Sequence, residues 1–304
     1  MKEQLSQNVC LTHDSISVVI SPELGGTILS YQSLDQNGEK IDWLRAAQAN
    51  EQREPKAFQT GCFPLFPFSN RIAEDRLFFE QQEYPLLSNL SGSFMIHGHS
   101  WMGAWRVTEQ STSSLSIVFE MPHQDVASHG WPFSYLAEQR FELSDQGLKV
   151  TLKLTNTSTQ TMPAGMGLHP YFNWLEGMQV TAKCEGMWLG SDKNIPEQEV
   201  FSHEATAALA QGKLLKGLDN NFTQWDGLAR IEWPDNKACM TIKASDMFRH
   251  LVVYSPEGED YFCLEPVSHV TNAFNHPEWS DAQGGMQILS PNETIQGDIR
   301  FLVK

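Results

Sequence analysis

The stretch Asp145-Gln146-Gly147-Leu148-Lys149-Val150-Thr151-Leu152-Lys153-Leu154 decides the fold class. A turn signal is followed by strict alternation of apolar Leu148, Val150, Leu152 and Leu154 with polar Lys149, Thr151 and Lys153. That period of two belongs to a strand with one face buried. The pattern returns at the C-terminus, where Ile295, Gly297, Ile299, Phe301 and Val303 alternate with polar residues after Pro291-Asn292-Glu293. N-terminal to both, paired strands are expected at Ser15 to Ser21 with Thr27 to Ser33, and at Arg106 to Met121 around Gln110-Ser111-Thr112-Ser113. A further hairpin is expected from Ile231-Glu232-Trp233 and Ala238 to Ile242, around the turn Pro234-Asp235-Asn236. Only His203 to Lys213 has the composition of a helix, and it is short. Helical stretches do not alternate with the strands, so an all-β, large antiparallel β-sandwich with few short helices is expected over a parallel α/β sheet. No linker, composition break or repeat divides the chain, which reads as a single domain over residues 1–304.

Composition narrows the function. The 304 residues carry 21 Lys+Arg against 37 Asp+Glu, a net charge of −16. A partner rich in phosphate is bound through basic residues, so neither nucleic acid nor an anionic membrane is expected as a partner. The N-terminus lacks the apolar core of a secretory signal, and no stretch is long and apolar enough to span a bilayer. Five scattered cysteines without a Cys-x-x-Cys pair read as free thiols in a reducing compartment, and the expected location is cytoplasmic. Glycine-rich nucleotide loops and the Gly-x-Ser-x-Gly elbow are both missing.

What remains is a set of polar residues in apolar, aromatic surroundings. Arg71 follows Phe63-Pro64-Leu65-Phe66-Pro67-Phe68-Ser69-Asn70, a rigid stretch that would hold its fork of donors for ligand oxygens. In Met95-Ile96-His97-Gly98-His99-Ser100-Trp101, two histidines at i and i+2 would share one side of a strand, which admits a cupin-like metal site. Such a site needs a nearby third ligand, and Ser100 to Val107 holds no carboxylate, so one functional and one packing histidine is preferred and no metal is assigned. His169 lies in Gly167-Leu168-His169-Pro170-Tyr171-Phe172-Asn173-Trp174. Glu265 ends the apolar run Tyr261-Phe262-Cys263-Leu264-Glu265, before Pro266. A buried carboxylate there is costly without a partner. A histidine and a glutamate in one aromatic cleft, with no nucleophile or redox group beside them, point to proton transfer.

With these motifs in order, the chain resembles the aldose 1-epimerase (galactose mutarotase) family over nearly its whole length. Ser69-Asn70-Arg71, Ile96-His97-Gly98, His169-Pro170-Tyr171-Phe172-Asn173, and Leu264-Glu265-Pro266 followed by Asn272-Ala273-Phe274-Asn275 look like the family's motifs. The usual Thr-Asn-His before Tyr-Phe-Asn is replaced by Gly167-Leu168-His169-Pro170, which points to a divergent branch.

The resemblance implies an isomerase of hexose metabolism that interconverts the α and β anomers of a free hexose without a cofactor. In that reading Glu265 is the general base at the anomeric hydroxyl and His169 the general acid at the ring oxygen. Arg71, His97, Asp219, Asn70 and Phe274 are the residues expected to bind the sugar; Trp101, Trp174 and Phe274 could each present an aromatic face to it, with core packing the preferred reading of each taken singly. The expected partner is a small-molecule sugar, and the chain a monomer or homodimer. Modest pKa shifts of Glu265 and His169 toward each other would let them exchange a proton near neutrality. The alternatives are a hexose-6-phosphate 1-epimerase, for which the sequence offers only Arg71 and Arg76 near the motifs, and a non-catalytic carbohydrate-binding protein.

Overall fold

A computed structural model describes residues 8–47, 57–90, 94–121, 130–234, 238–280 and 282–304. Two large antiparallel sheets dominate it, one of eleven strands and one of eight. The alternating stretch that decided the fold is the strand Gly147–Asn156, and the C-terminal alternation is Thr294–Val303. They lie side by side in the eight-stranded sheet, Val150 opposite Ile299 and Leu152 opposite Gly297. The hairpin Arg106–Gln110 with Ser114–Met121 forms as expected, and so do the pairs Ile16–Ser21 with Thr27–Leu34 and Leu228–Trp233 with Ala238–Ala244. Part of the turn expected at Pro234 to Asn236 lies outside the described residues. The expected helix is Glu204–Ala210, started by the His203 side chain accepting from the Ala205 N–H.

The larger sheet places the functional motifs. Its central strands run in the order Cys62–Leu65, Gly167–Asn173, Tyr261–Val267, His250–Ser255 and Leu218–Thr223. Few of these alternate in hydropathy, because both of their faces are covered. On one face Leu168, Phe172, Leu251, Val253, Phe262 and Leu264 join Phe141, Val150, Ile299 and Phe301 of the other sheet in the main core. On the other face Phe63, Trp101, Tyr171, Val252 and Cys263 form a second, smaller apolar cluster. Side chains two apart on a strand share a face. His169 is therefore on Tyr171's side and Glu265 on Cys263's side, both with the second cluster.

Candidate active site

Cross-strand register assembles the site. Gly167 pairs with Val267 and Tyr171 with Cys263, which sets His169 opposite Glu265 between them. His169 also pairs with Phe63 on its other side, and Glu265 with Val252. One row across the sheet thus reads Phe63, His169, Glu265, Val252. The next row on the same face carries Tyr171, Cys263, Tyr254 and Asp219. These rows floor a cavity of about 630 Å³. Phe63, Trp101, His97, His169 and Glu265 are its buried floor, Arg71, Asp219 and Tyr254 are half-buried above it, and Asn194 and Glu257 are exposed at its mouth.

His169 Nε2 lies 3.2 Å from Glu265 Oε1, and the two residues are 6% and 2% exposed. The other carboxyl oxygen, Oε2, has no hydrogen-bond partner among the described residues. Burial pushes the Glu265 carboxyl well above the usual range; the charge of Asp219 adds to this and Arg71 opposes it. Burial pulls the His169 imidazole down to about 3, its own backbone carbonyl opposing and the Arg45 cation reinforcing the shift. The shifts are far larger than the modest ones expected from sequence, and each disfavours the charged form. The reason is depth, which residue types alone do not reveal.

Arg71, Asn70 and His97 form one unit. Asn70 and His97 both have left-handed backbones, with φ of 58° and 60°. The Asn70 N–H donates to His97 Nδ1 at 3.0 Å, and the His97 N–H donates to the Asn70 carbonyl at 2.8 Å. With Nδ1 accepting, the ring proton of the neutral imidazole sits on Nε2. Burial keeps His97 well below its ordinary value, with the charges of His169 and Arg71 adding to the effect. Asn70 Oδ1 accepts from the Arg71 backbone at 2.9 Å and from Arg71 Nη1 at 3.0 Å. The guanidinium is thereby turned to Asp219, with Nη2 3.3 Å from Oδ2. Asn194 Nδ2 donates to the same Oδ2 at 2.7 Å.

Of the seven residues expected at the site, six line this cavity. Phe274 does not. It is buried in the main core against Phe68 and Trp131, with its ring tilted against that of His269. Its motif serves the site indirectly: the Asn272 N–H donates to the Arg71 carbonyl and Asn272 Oδ1 accepts from the Ala73 N–H, which braces the Arg71 strand on both sides of Ile72. Trp101 lines the cavity, whereas Trp174 packs near Phe262 and under Lys216. Sequence reasoning missed Asn194, Tyr254 and Cys263 as site residues. Counting back by two from Glu265 reaches Cys263; no comparable signal marks Asn194.

The strand geometry that would admit a two-histidine metal arrangement is not present at this motif. The strand there is only Met95–Ile96, and both His97 and Gly98 are left-handed, so the i, i+2 rule for a strand does not apply. A Cβ on Gly98 would overlap the Phe66 carbonyl. His97 lines the cavity and His99 is buried outside its wall. Among the described residues, a different trio, His169, Cys263 and Glu265, brings donor atoms within 4.8 Å of one another. The Cys263 thiol is pushed well above its ordinary value by burial, with Glu265 adding to the shift.

Residues 7–302 match the family model for aldose 1-epimerase. The chain belongs to the aldose 1-epimerase family. It is 28% identical to YphB of Escherichia coli K12, itself uncharacterised, over 82% of this chain and 85% of that one. A crystal structure of a candidate aldose 1-epimerase from E. coli K12 superposes with a TM-score of 0.85 at 27% identity, covering 98% of this chain and 99% of the other. A galactose mutarotase-like protein of Clostridium acetobutylicum superposes at 0.83 with 21% identity, covering 98% and 95%. The last likeness shows the shared β-sandwich fold.

Proposed function

We propose that this member of the family interconverts the α and β anomers of a free hexose, by opening and reclosing the pyranose ring through general acid–base catalysis. The observation that carries the reading is the buried His169–Glu265 pair, placed side by side on the cavity floor with one carboxyl oxygen left unpartnered. Glu265 takes the proton from the anomeric hydroxyl while His169 gives one to the ring oxygen. The C1–O5 bond breaks, its electron pair goes to the ring oxygen, and the electrons of the former O–H bond close the carbonyl. Rotation about C1–C2 and the reverse transfers give the other anomer.

The electrostatics suit this cycle. Ring opening starts from carboxylate and imidazolium and ends with carboxylic acid and neutral imidazole. Burial disfavours both charges, so the neutral pair is the resting form. Proton exchange across the 3.2 Å contact must first populate the carboxylate–imidazolium form, Arg71 helps keep that carboxylate accessible, and opening returns the pair to its favoured neutral form. Each positioned proton-transfer group contributes roughly 10² to 10⁴-fold, sufficient for a reaction that already proceeds in water. Arg71, Asp219 and the Nε2–H of His97 are the groups proposed to hold the sugar's hydroxyls, with Asn70 fixing Arg71 and His97.

A phosphorylated hexose is disfavoured. Among the described residues Arg71 is the cation in the cavity wall and is already bonded to Asp219 and Asn70, while Asp219 and Glu257 are the carboxylates nearer its mouth. Arg76 is outside the wall, in exposed ion pairs with Glu74 and Glu83. The proposed partner is therefore the sugar alone, and the proposed compartment the cytoplasm, in keeping with five free cysteines. Among the described residues no helix is long and apolar enough to cross a membrane.

Polarimetry or NMR of anomer equilibration with glucose, galactose and glucose 6-phosphate tests the reading. Acceleration is expected with at least one free aldose and to a smaller extent, or not at all, with the phosphate ester. A protein that binds sugar yet leaves the equilibration rate at the buffer value would be a binding protein, and the proposal would fall.

A further inference from the structure

The imidazole of His169 packs against two aromatic rings. Phe63 stacks on it with centroids 4.5 Å apart and planes 23° apart, and Tyr171 does so at 4.7 Å and 22°. The Tyr171 ring also meets the guanidinium of Arg45, whose Cζ is 4.0 Å from the ring centroid. One face of a six-membered ring accommodates one stacked group, so imidazole and guanidinium cover opposite faces of Tyr171. The Phe63 and Tyr171 rings are themselves 6.3 Å apart, so they meet the imidazole side by side, and the line of contacts that reaches the cation runs His169, Tyr171, Arg45.

Arg45 is itself fixed on several sides. Its backbone N–H donates to the Tyr171 carbonyl at 2.8 Å, Nη2 donates to the Phe58 carbonyl at 3.1 Å, and Cζ lies 4.4 Å over the ring of Tyr261. It is not part of the cavity wall. Its contact nearest the His169 imidazole is the ring of Tyr171.

We propose that Arg45 is a positioning residue for His169, acting through the ring of Tyr171 that separates them. The proposal rests on His169 being the acid–base group of the anomer exchange proposed above. Clamping Tyr171 between a fixed cation and the imidazole restricts rotation of the imidazole about its own side-chain axis, so that Nε2 stays on Glu265. The cation also sits behind a dry aromatic layer, where its field is weakly screened. A second positive charge on His169 is thereby made less favourable, and an imidazolium there gives up its proton more readily to a ring oxygen.

Other groups face His169 and must be accounted for. Glu265 is 3.2 Å away, the His97 ring centroid is at 5.3 Å, and the Cys263 donor atom lies within 4.8 Å. Cys62, on the neighbouring strand, faces the His169 backbone. Arg45 is the cation among the causes of the downward shift of His169. Its removal therefore has a distinct sign: it lets His169 hold its proton to higher pH.

The test uses Arg45→Met and Arg45→Lys in the full chain, with anomer-exchange kinetics and NMR titration of the His169 imidazole. In Arg45→Met, kcat is expected to fall about threefold to thirtyfold, the range a desolvated cation–π contact supports, with KM changing little. The imidazole and the acidic limb of the pH–rate profile are expected to titrate at higher pH. Arg45→Lys keeps the charge without the flat guanidinium, and is expected to restore the native titration and only part of the rate. Native kcat together with native titration in Arg45→Met overturns the proposal. Should that variant not fold, Arg45→Gln carries the same test with the same two outcomes. If the native protein does not accelerate anomer exchange, the functional reading falls, while the imidazole titration still decides whether Arg45 acts on His169.

Discussion

Leu264 and Glu265 are neighbours on one strand and belong to different worlds. Leu264 faces the other sheet in the main core, and Glu265 faces the cavity beside His169. The same holds for Leu168 beside His169 and for Val253 beside Val252 and Tyr254. Both faces are largely buried, yet they solve different problems. The core face is filled by volume, and any well-fitting apolar side chain stabilises it. The cavity face buries titratable groups against their own solvation, which costs stability and leaves their proton affinities far from ordinary values. One strand thus carries stability on one side and chemistry on the other.

The sharpest way to break this comparison is to exchange the chemistry alone. Glu265→Gln and His169→Asn keep shape and are each expected to lower the anomer-exchange rate by roughly 10² to 10⁴-fold, measured by polarimetry under one set of sugar concentrations. Circular dichroism should stay native in both. Retention of a near-native rate in Glu265→Gln would remove the general base from the mechanism.

The complementary change is Leu264→Ala, one residue away. Truncating a fully buried leucine is expected to cost about 2–5 kcal/mol in urea unfolding. The folded fraction should keep its kcat within about twofold, since no atom of the cavity wall is removed. A Leu264→Ala protein that stays stable but loses activity would show that the two faces are not separable in this way.

The two faces also differ in how far they could be read from sequence. Strands of the eight-stranded sheet, such as Gly147–Asn156, have a solvent-facing side, so Lys149, Thr151 and Lys153 reveal the period. Tyr261–Val267 is covered on both sides, and its alternation is hidden in an apolar run. There the signal was inverse: Glu265 stood out because a carboxylate does not belong in such a run. Local motifs likewise exposed His169, Arg71 and His97. Contacts spanning long stretches of chain stayed silent, as with Arg45 over Tyr171 and Asn194 on Asp219. Phe274 was misplaced for a related reason: an aromatic residue in a site-bordering motif reads the same whether it faces sugar or core, and here its neighbour Asn272 holds the Arg71 strand.

Asp219→Asn probes the upper wall of the cavity, where the effect should be smaller. The substitution removes the charge that Arg71 and Asn194 share and is expected to lower kcat/KM about tenfold to hundredfold, the loss of one charge-assisted hydrogen bond, chiefly through KM. An unchanged KM for every free hexose would remove Asp219 from sugar binding and weaken the case that the wall above the floor contributes affinity rather than catalysis.

The finest distinction between the faces is the pH dependence of stability. Glu265 has its folded pKa raised by burial, so above the ordinary glutamate value the folded protein still holds a proton that the unfolded chain has released. Stability from this group is complete below that ordinary value and is lost as pH rises through the raised one, with a slope of at most about 1.4 kcal/mol per pH unit. His169 is shifted the opposite way, to about 3. Its contribution is complete above the ordinary histidine value and is lost as pH falls toward the folded one. Glu265→Gln should therefore melt above the native protein by a margin that grows on the alkaline side, and His169→Asn should flatten the acid side. Leu264→Ala, with nothing to titrate, should lower the melting curve by a similar amount throughout. Parallel Tm curves for Glu265→Gln and the native protein between about pH 5 and pH 9 would mean that Glu265 is not held protonated by burial. The cost of placing chemistry on this face would then have to lie in its packing, and the contrast with Leu264 would be one of shape rather than of charge.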